Sequence, residues 1–584
     1  MNAALEKRIK RQVIGKPHRF LAVTPLGFEQ TLIDELEYIK QEISNRAHQE
    51  PKAIESSATQ PAEQPHIVGD GKVEFTAKLT EAWKAVAYSR VANRVLMEIG
   101  NFKAENFRDF EKKAGEIPWE LYLDERTGYA LQTKDERYLG NVILSEAHRT
   151  KSKNPVNFCS PSLNIHVTCK HSRLYHSDAI AERLQKIIEG GSLPLTPSRR
   201  ENGPSVQQAK DEKESTKTSF RLSSTSEAPS RLDYATPTAG TPRNAPQQNI
   251  YVHFLDDRCT IWQDLAGEEL YKRGHKRFVN EAPLKETIAA AMIFEAFHMA
   301  KPQKDDTSEK IQDDIIAKPQ SEHSERPHTS HLTVLIDPMS GSGTFSLEAA
   351  YIANKLIPGV CREFALKHQP AFKEASWKHL IKQENLNGAL AQAHNSIGSV
   401  MPVSKQPVAT LASHVIPDVA PQGAKAKNLE IVTSDISERA VSIIKHNIES
   451  SPLADIAPNA IHPKIRDFFS YTAEEIASTS KNESSPILVL NPPYGKRLDF
   501  DAPRLYTKIG RKLKNLAHDL NALGIPLTVA ILAPKDDTRN GTKYTCTANL
   551  LCECPRLSPE HNSTAKLIVT SHGGFSLNVF IAKI

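Results

Sequence analysis

At 584 residues the chain is too long for one compact core, and two or three domains are expected. Its 74 Lys and Arg against 69 Asp and Glu give a formal charge of +5, mixed along the chain; this is compatible with a nucleic-acid partner, but any basic surface must be made by folding. The 7 scattered cysteines, odd in number and without framework spacing, argue for the reduced thiols of a cytoplasm rather than disulfides.

The basic N-terminus MNAALEKRIKRQVIGK lacks the apolar segment of a signal peptide, and no stretch approaches the roughly 20 apolar residues that span a bilayer, so a soluble cytoplasmic protein is expected. Phe20 to Val23, followed by TPLGFEQTLIDELEYI, predicts a strand, a Gly turn and an amphipathic helix. Its apolar positions Phe28, Leu32, Ile33, Leu36 and Ile39 recur at helical spacing. Residues 45–65 are polar and read as a loop. GKVEFTA predicts a strand, and LTEAWKAVAYSRVANRVLMEIG the helix after it. YALQTKDERYLGNVILSEAHR and LNIHVTCKHSRLYHSDAIAERLQKII read as mixed strands and helices of a small α+β unit.

Residues 192–248 are rich in Ser, Thr, Pro and charge; they bury too little apolar surface to offset ordering entropy and are expected to be disordered. IYVHFLDDRCTIWQDLAG predicts a hairpin turning at Asp256-Asp257. Polar inserts follow at about 301–331 and 401–428. From 332 onward LTVLID, LEIVTSD, ILVLNPPY, PLTVAILAP and LIVTSHGGFSLNVFIAKI alternate with helical stretches. That is the α/β pattern of a doubly wound sheet, with SLNVFIAKI suited to an antiparallel strand completing it. Cys552 and Cys554 form a C-x-C with no cluster at zinc-ligand spacing nearby, so no metal site is expected.

Two stretches carry chemistry. In the first, LIDPMSGSGTF, a buried strand ends at Asp337 and runs through Gly341 and Gly343 into a helix. Small residues there let the backbone approach a ligand. No Gly-Lys-Ser/Thr follows, and Phe345 to Leu347 stand in place of a third Gly, so the loop suits a nucleoside lacking a pyrophosphate. Asp435 ends the next strand and Asp467, in KIRDFF, a third. A carboxylate at each tip can accept from one ligand: Asp435 from ribose hydroxyls, Asp467 from an adenine amine. Asp is also a common helix N-cap, which stands as the other reading of both.

In the second stretch, LVLNPPYGKR, an apolar strand stops at Asn491, runs into Pro492 and Pro493, and presents a Tyr494 that looks exposed. The Asn491 carboxamide oxygen and the Pro492 carbonyl are two rigid acceptors for both hydrogens of an exocyclic amine, while Tyr494 would stack on the base.

DPMSGSGT, SDI and LVLNPPYGKRL together resemble a class I S-adenosylmethionine-dependent methyltransferase acting on an amino group. With LYKRGHKR and APLKETIAAAMI, the chain is similar to THUMP-domain RNA guanine-N2 methyltransferases, above all those of the large-subunit (23S) rRNA branch. The resemblance runs from Phe20 to Ile584. It implies an α/β, Rossmann-like methyltransferase domain over 268–584, preceded by an α+β RNA-binding region: a ferredoxin-like part at 17–65, then THUMP at 66–267 holding the 192–248 insertion. It implies S-adenosylmethionine as cofactor and RNA, most of all 23S rRNA, as partner. Asp337, Gly341, Gly343 and Thr344 would take its methionine part, Asp435 the ribose and Asp467 the adenine. Asn491, Pro492, Pro493 and Tyr494 would hold the target guanine. Lys285 and Glu286 fall in a segment resembling the family's cofactor-side lid. Ser340 stands where a Cys is usual and His275 where a Tyr is usual; neither change removes a needed acceptor.

For RNA contact, TCKHSRLYHSDAIAER mixes Lys170, His171, Arg173, Tyr175 and His176 where a strand meets a helix, a composition suited to phosphate contacts and stacking. Lys496 and Arg497 follow the target-base stretch and would reach the RNA beside it. The same amine chemistry serves adenine N6, and a tRNA guanine-N2 enzyme would be built from the same parts. A non-catalytic RNA-binding protein would be expected to have lost Asp337, Gly341, Gly343, Asn491 or Tyr494.

Overall fold

The apolar run Phe20-Leu21-Ala22 forms the buried centre of strand β1 (Pro17–Val23), and Phe28, with Leu32, Ile33 and Leu36 of the helix Glu29–Ala47 that follows it, enters the core beside it. The computed structural model describes residues 3–47, 64–123, 163–189, 248–276, 278, 283–300, 333–381, 429–480, 485–494, 501–539 and 542–584. Thus the helix continues through 45–47, expected as loop. The stretch YALQTKDERYLGNVILSEAHR, the 192–247 part of the expected disordered segment and both polar inserts lie outside the described residues.

Six further strands join β1: β2 (His66–Gly69), β3 (Lys72–Lys78), β4 (Arg94–Lys103), β5 (Leu163–Lys170), β6 (Gln248–Leu255) and β7 (Arg258–Asp264). They form one sheet in the order β2-β3-β1-β4-β7-β6-β5, antiparallel except for the β5–β6 pair. The β6–β7 hairpin turns on Asp256 and Asp257, both left-handed at φ 49° and 61°, the geometry that matches the twist of a tight hairpin.

One expected element is corrected here. The helix that LTEAWKAVAYSRVANRVLMEIG predicts ends at Tyr88, and β4 begins at Arg94. The cause is Glu35, far away in sequence. Its buried carboxylate accepts from Ser89 Oγ at 2.6 Å, from the Arg90 N–H at 2.7 Å and from the Val91 N–H at 3.2 Å. Backbone donors satisfied in this way have no use for another helical turn, and Ser89 is already extended (φ −65°, ψ 130°).

The second sheet takes β8 (Thr333–Asp337), β9 (Leu429–Asp435), β10 (His462–Ile465), β11 (Ile487–Leu490), β12 (Thr528–Pro534), β15 (Lys566–His572) and β16 (Phe575–Lys583). A short ladder of β13 (Asp537–Arg539) and β14 (Thr542–Tyr544) stands apart. The order is β10-β9-β8-β11-β12-β16-β15; the first five strands run parallel and β16 is antiparallel to β12 and β15. This is a doubly wound, Rossmann-like sheet, as the strand alternation predicts. The chain moves outward from β8 to β9 and β10, then returns to the other side of β8 as β11. That reversal opens a crevice beyond the carboxyl ends of β8 and β11, where such sheets bind ligands.

Both faces of the second sheet are covered. Ile487 and Val489 of β11 enter one apolar cluster while Leu488 and Leu490 enter another. The first cluster is shared with the N-terminal sheet, running from Phe20 and Trp83 through Ile288 to Leu335 and Val489. Charges pin the same seam. Arg273 and Glu348, each 1% exposed, pair at 3.0 Å, and Arg273 also donates to the carbonyls of Arg90 at 2.7 Å and Leu270 at 2.9 Å. Nearby, Glu295 accepts from Thr31 Oγ1 at 2.5 Å and from Lys566 Nζ at 2.7 Å.

Candidate active site

Strand β8 delivers Asp337 to the crevice fully buried. Its Oδ2 accepts from Ser346 Oγ at 2.7 Å, and Ser346 in turn accepts from Thr433 Oγ1 of β9 at 2.8 Å. Its Oδ1 has no hydrogen-bond partner among the described residues. Burial pushes this carboxyl up to about 7; the Ser346 hydrogen bonds oppose the shift and the nearby Asp435 charge adds to it.

The glycine loop follows. Gly341 (φ 54°) and Gly343 (φ 79°) are both left-handed, the conformation that other residues adopt only with strain. A Cβ on Gly343 would meet the Ile444 side chain at 3.0 Å, whereas one on Gly341 would project into open space. The loop folds onto the end of β9. Ser340 donates through N at 3.1 Å and Oγ at 2.8 Å to the Ser434 carbonyl, and the Gly341 N–H donates to Asp435 Oδ2 at 2.9 Å. The other Asp435 oxygen accepts from the Ser437 N–H at 2.9 Å. Ser437, not Asp435, caps the helix Glu438–Glu449, so each oxygen of Asp435 keeps a lone pair for a ligand. Asp467 does cap: its Oδ1 accepts from the Phe469 N–H at 3.0 Å and opens the short turn Phe468–Ser470. Next to Asp435, Ile436 is 70% exposed, an apolar side chain among these acceptors.

On the other side of β8, β11 is buried along its whole length and hands over to Asn491. The Asn491 Oδ1 is buried with no hydrogen-bond partner among the described residues. Pro492 is buried and Pro493 exposed. Tyr494, which looks exposed in the sequence, is half-buried. Its ring meets Phe575 edge to face at 5.9 Å and 77°, and burial drives its phenol well above the ordinary tyrosine value. Phe575 reaches it from the β15–β16 hairpin, which turns on Gly573 and Gly574, both left-handed. Lys496 and Arg497 lie outside the described residues.

Sequence reasoning missed Lys276. Its side chain is 4% exposed, and its Nζ donates to Thr344 Oγ1 at 2.7 Å and pairs with Glu286 at 3.1 Å. Thr344 opens the helix after the glycine loop, so this buried pair closes on the loop from the segment before the sheet. The signal was present in LYKRGHKR and LKET, but nothing local says that the two meet. Lys285 goes elsewhere: its ammonium sits 4.7 Å over the Tyr271 ring, and it lines a cavity with Thr24 and Ser571. His275 is fully buried against Tyr351 at 4.5 Å; burial and the cations Arg273, Lys276 and Arg90 push it down to about 3, so it is neutral.

The N-terminal candidates share one surface at the end of β5. Lys170 and Tyr175 are exposed, and the Tyr175 ring lies 4.1 Å from His176. Arg173 already pairs with Glu105, and its backbone N–H donates to Asp257 Oδ1 at 2.7 Å. Among the described residues no group of three or more His, Cys, Asp or Glu could hold a metal, and no helix is long and apolar enough to cross a membrane.

Residues 328–525 match the UPF0020 family model, described as an RMKL-like methyltransferase domain. Among curated proteins, the chain is 26% identical over 285 residues to Ribosomal RNA large subunit methyltransferase K/L of Shewanella frigidimarina, covering 48% of this chain and 30% of that protein. It is 21% identical over 498 residues to the protein of the same name from Shewanella oneidensis, covering 85% and 46%. The chain therefore spans less than half the length of these relatives. Two solved structures share the fold, each 17% identical and covering 97% of this chain and 98% of its own. They are SMU.472, a candidate methyltransferase complexed with SAH, at a TM-score of 0.51, and a candidate methylase from Clostridium difficile 630, at 0.52. The strand order, the glycine loop and the Asn-Pro-Pro-Tyr corner agree with that match: residues 328–525 are similar to an RMKL-like methyltransferase domain, and the fold is that of class I, S-adenosylmethionine-dependent methyltransferases.

Proposed function

We propose that the chain methylates RNA at the exocyclic N2 amine of a guanine, with 23S rRNA as substrate. The observation that carries this reading is the orphaned Asn491 Oδ1. A buried acceptor without a partner costs about 1–3 kcal/mol, a penalty that a bound donor removes, and an exocyclic amine is such a donor. The names of the curated relatives support large-subunit rRNA as the substrate class.

The residues present fit the cofactor. Asp337 Oδ1 is an unpaired acceptor for its ammonium, and Gly341 leaves open space over the loop. Asp435 retains lone pairs for ribose hydroxyls, and Asp467 would take the adenine. When bound, S-adenosylmethionine would supply a sulfonium methyl carbon open to in-line attack by an amine lone pair, with S-adenosylhomocysteine as the leaving group. Asn491 Oδ1 and the Pro492 carbonyl would accept the two amine hydrogens and turn the lone pair out of conjugation. The Tyr494 ring, backed by Phe575, would hold the base plane. The amine proton is released after transfer, so the protein contributes mainly position and oriented dipoles. A base inside a duplex cannot reach this corner, so the target is unpaired or flipped out. Lys170, Arg173 and Tyr175 on the N-terminal sheet, with Lys496 and Arg497 beside the corner, would contact the RNA.

The test is methyl transfer from labelled S-adenosylmethionine to protein-free 23S rRNA, to tRNA and to DNA, with nucleoside analysis and an Asn491→Ala control. N2-methylguanosine in 23S rRNA is expected. The same nucleoside in tRNA moves the substrate, N6-methyladenine overturns the target base, and no label on any of them refutes the activity on free nucleic acid.

A further inference from the structure

A cavity of about 250 Å³ lies at the seam of the two sheets. The N-terminal side contributes Thr24 and Leu26, just past β1, and Asp70 of the β2–β3 turn; the other side contributes Lys285, Ile288 and Ser571. Asn93 also lines it. This residue is 8% exposed, and its carboxamide Oδ1 accepts from Thr287 Oγ1 at 2.8 Å, which leaves the Nδ2 donors without a partner among the described residues. Its backbone is fixed by the Val23 carbonyl at 2.6 Å and the Leu270 N–H at 2.8 Å, so the donors are held rigidly.

The walls are chemically mixed. Asn93, Lys285 and Ser571 offer donors, and Asp70 and Ser571 offer acceptors, over an apolar floor of Leu26 and Ile288. A flat heterocycle with both donors and acceptors on its edge matches such walls, and the volume is below that of a drug-sized pocket, enough for one ring system. The cavity is also tied to the catalytic corner. Ser571 pairs with Ser576 in the β15–β16 hairpin, whose Phe575 packs on Tyr494. The next residue, His572, holds the Pro283 carbonyl at 3.0 Å, two residues before Lys285.

Building on the RNA reading above, we infer that this cavity is a subsite for an unpaired nucleobase flanking the methylated nucleotide, read by Asn93, Asp70 and Ser571, with Lys285 at the phosphate. The N-terminal sheet then selects the target's neighbour as well as contributing general affinity.

The experiment uses the full chain and a short fluorescein-labelled single-stranded RNA carrying one guanine, with an abasic nucleotide moved through the flanking positions. For the wild-type chain, an abasic nucleotide at one flanking position is expected to weaken binding about tenfold, the equivalent of one well-made hydrogen bond. Ser571→Trp, which fills the cavity from an exposed strand position, should weaken the intact probe by the same factor and erase the abasic effect, with S-adenosylhomocysteine affinity unchanged. Asp70→Ala is the second variant and should halve the discrimination or more. Wild-type binding of the intact probe by both variants, or a full abasic effect in Ser571→Trp, overturns the subsite. A wild-type chain that binds S-adenosylhomocysteine but no RNA refutes the RNA reading itself, and the subsite with it.

Discussion

Lys276 and Glu286 form an ion pair at 3.1 Å with side chains only 4% and 9% exposed, and the same ammonium donates to Thr344 Oγ1 at 2.7 Å. The segment entering the second sheet is thereby fastened to the start of the helix behind the glycine loop. Removing one partner of a buried pair strands the other charge, at a cost of about 3–5 kcal/mol. Lys276→Ala should lose stability of this order in urea titration and weaken S-adenosylhomocysteine binding. Lys276→Arg, which keeps the charge, should recover most of the stability.

Asp337 gives a pH signature. Its carboxyl lies at about 7 in the folded chain against 3.8 ordinarily. A raised carboxyl pKa means that the unfolded chain ionises first as pH rises, so its contribution to stability is fully present below pH 3.8 and is lost progressively up to about 7. A bound ammonium favours the ionised form, so cofactor affinity should move the opposite way. Calorimetry with S-adenosylhomocysteine should show tighter binding at pH 8 than at pH 6, by up to about tenfold, with a proton released on binding. Asp337→Asn should bind weakly and show none of that dependence.

The Tyr494–Phe575 contact predicts a separation of effects. An edge-to-face pair contributes about 0.5–1.5 kcal/mol beyond burial, so Phe575→Leu should lower kcat/KM for RNA by about threefold to tenfold. Cofactor binding should stay as it is, since the residue meets Tyr494, which is proposed to hold the base. Equal loss of RNA turnover and of cofactor affinity would mean general damage to the hairpin instead.

At the seam, Glu348 faces Arg273 at 3.0 Å and Arg90 at 3.8 Å. Glu348→Gln leaves the buried Arg273 guanidinium without its counter-charge and takes from Arg90 the larger of its two, Glu35 remaining, and about 3–5 kcal/mol should be lost in denaturant titration. The two sheets share one apolar cluster, so they should still unfold in a single transition at a lower denaturant midpoint, with tryptophan fluorescence and circular dichroism coincident; two separate transitions would contradict the coupling.

How far the sequence discloses this molecule depends on the range of the forces. Strand β11 and its two prolines are legible because a short apolar run and a lost N–H act locally. The glycine loop is legible for the same reason, and the strand alternation fixes the class of sheet. The helix that stops at Tyr88 is not legible, because Glu35 supplies the acceptor from 54 residues away. Lys276 at Thr344 spans 68 residues, and Phe575 comes to Tyr494 only through a hairpin closed by two glycines. Asp467 shows that local rules also compete: a strand-tip carboxylate and an N-cap look alike in sequence, and the structure gives one oxygen to the cap.

The most direct measurement on the whole reading is the rate of methyl transfer to protein-free 23S rRNA by Asn491→Ala beside the wild-type chain, both shown to bind S-adenosylhomocysteine alike. If the orphaned Oδ1 is the acceptor for the target amine, wild type makes N2-methylguanosine and the variant is slower by about 10²–10³-fold, the loss typical of one preorganised transition-state contact. A variant that methylates at the wild-type rate, or a wild-type product other than N2-methylguanosine, would contradict it.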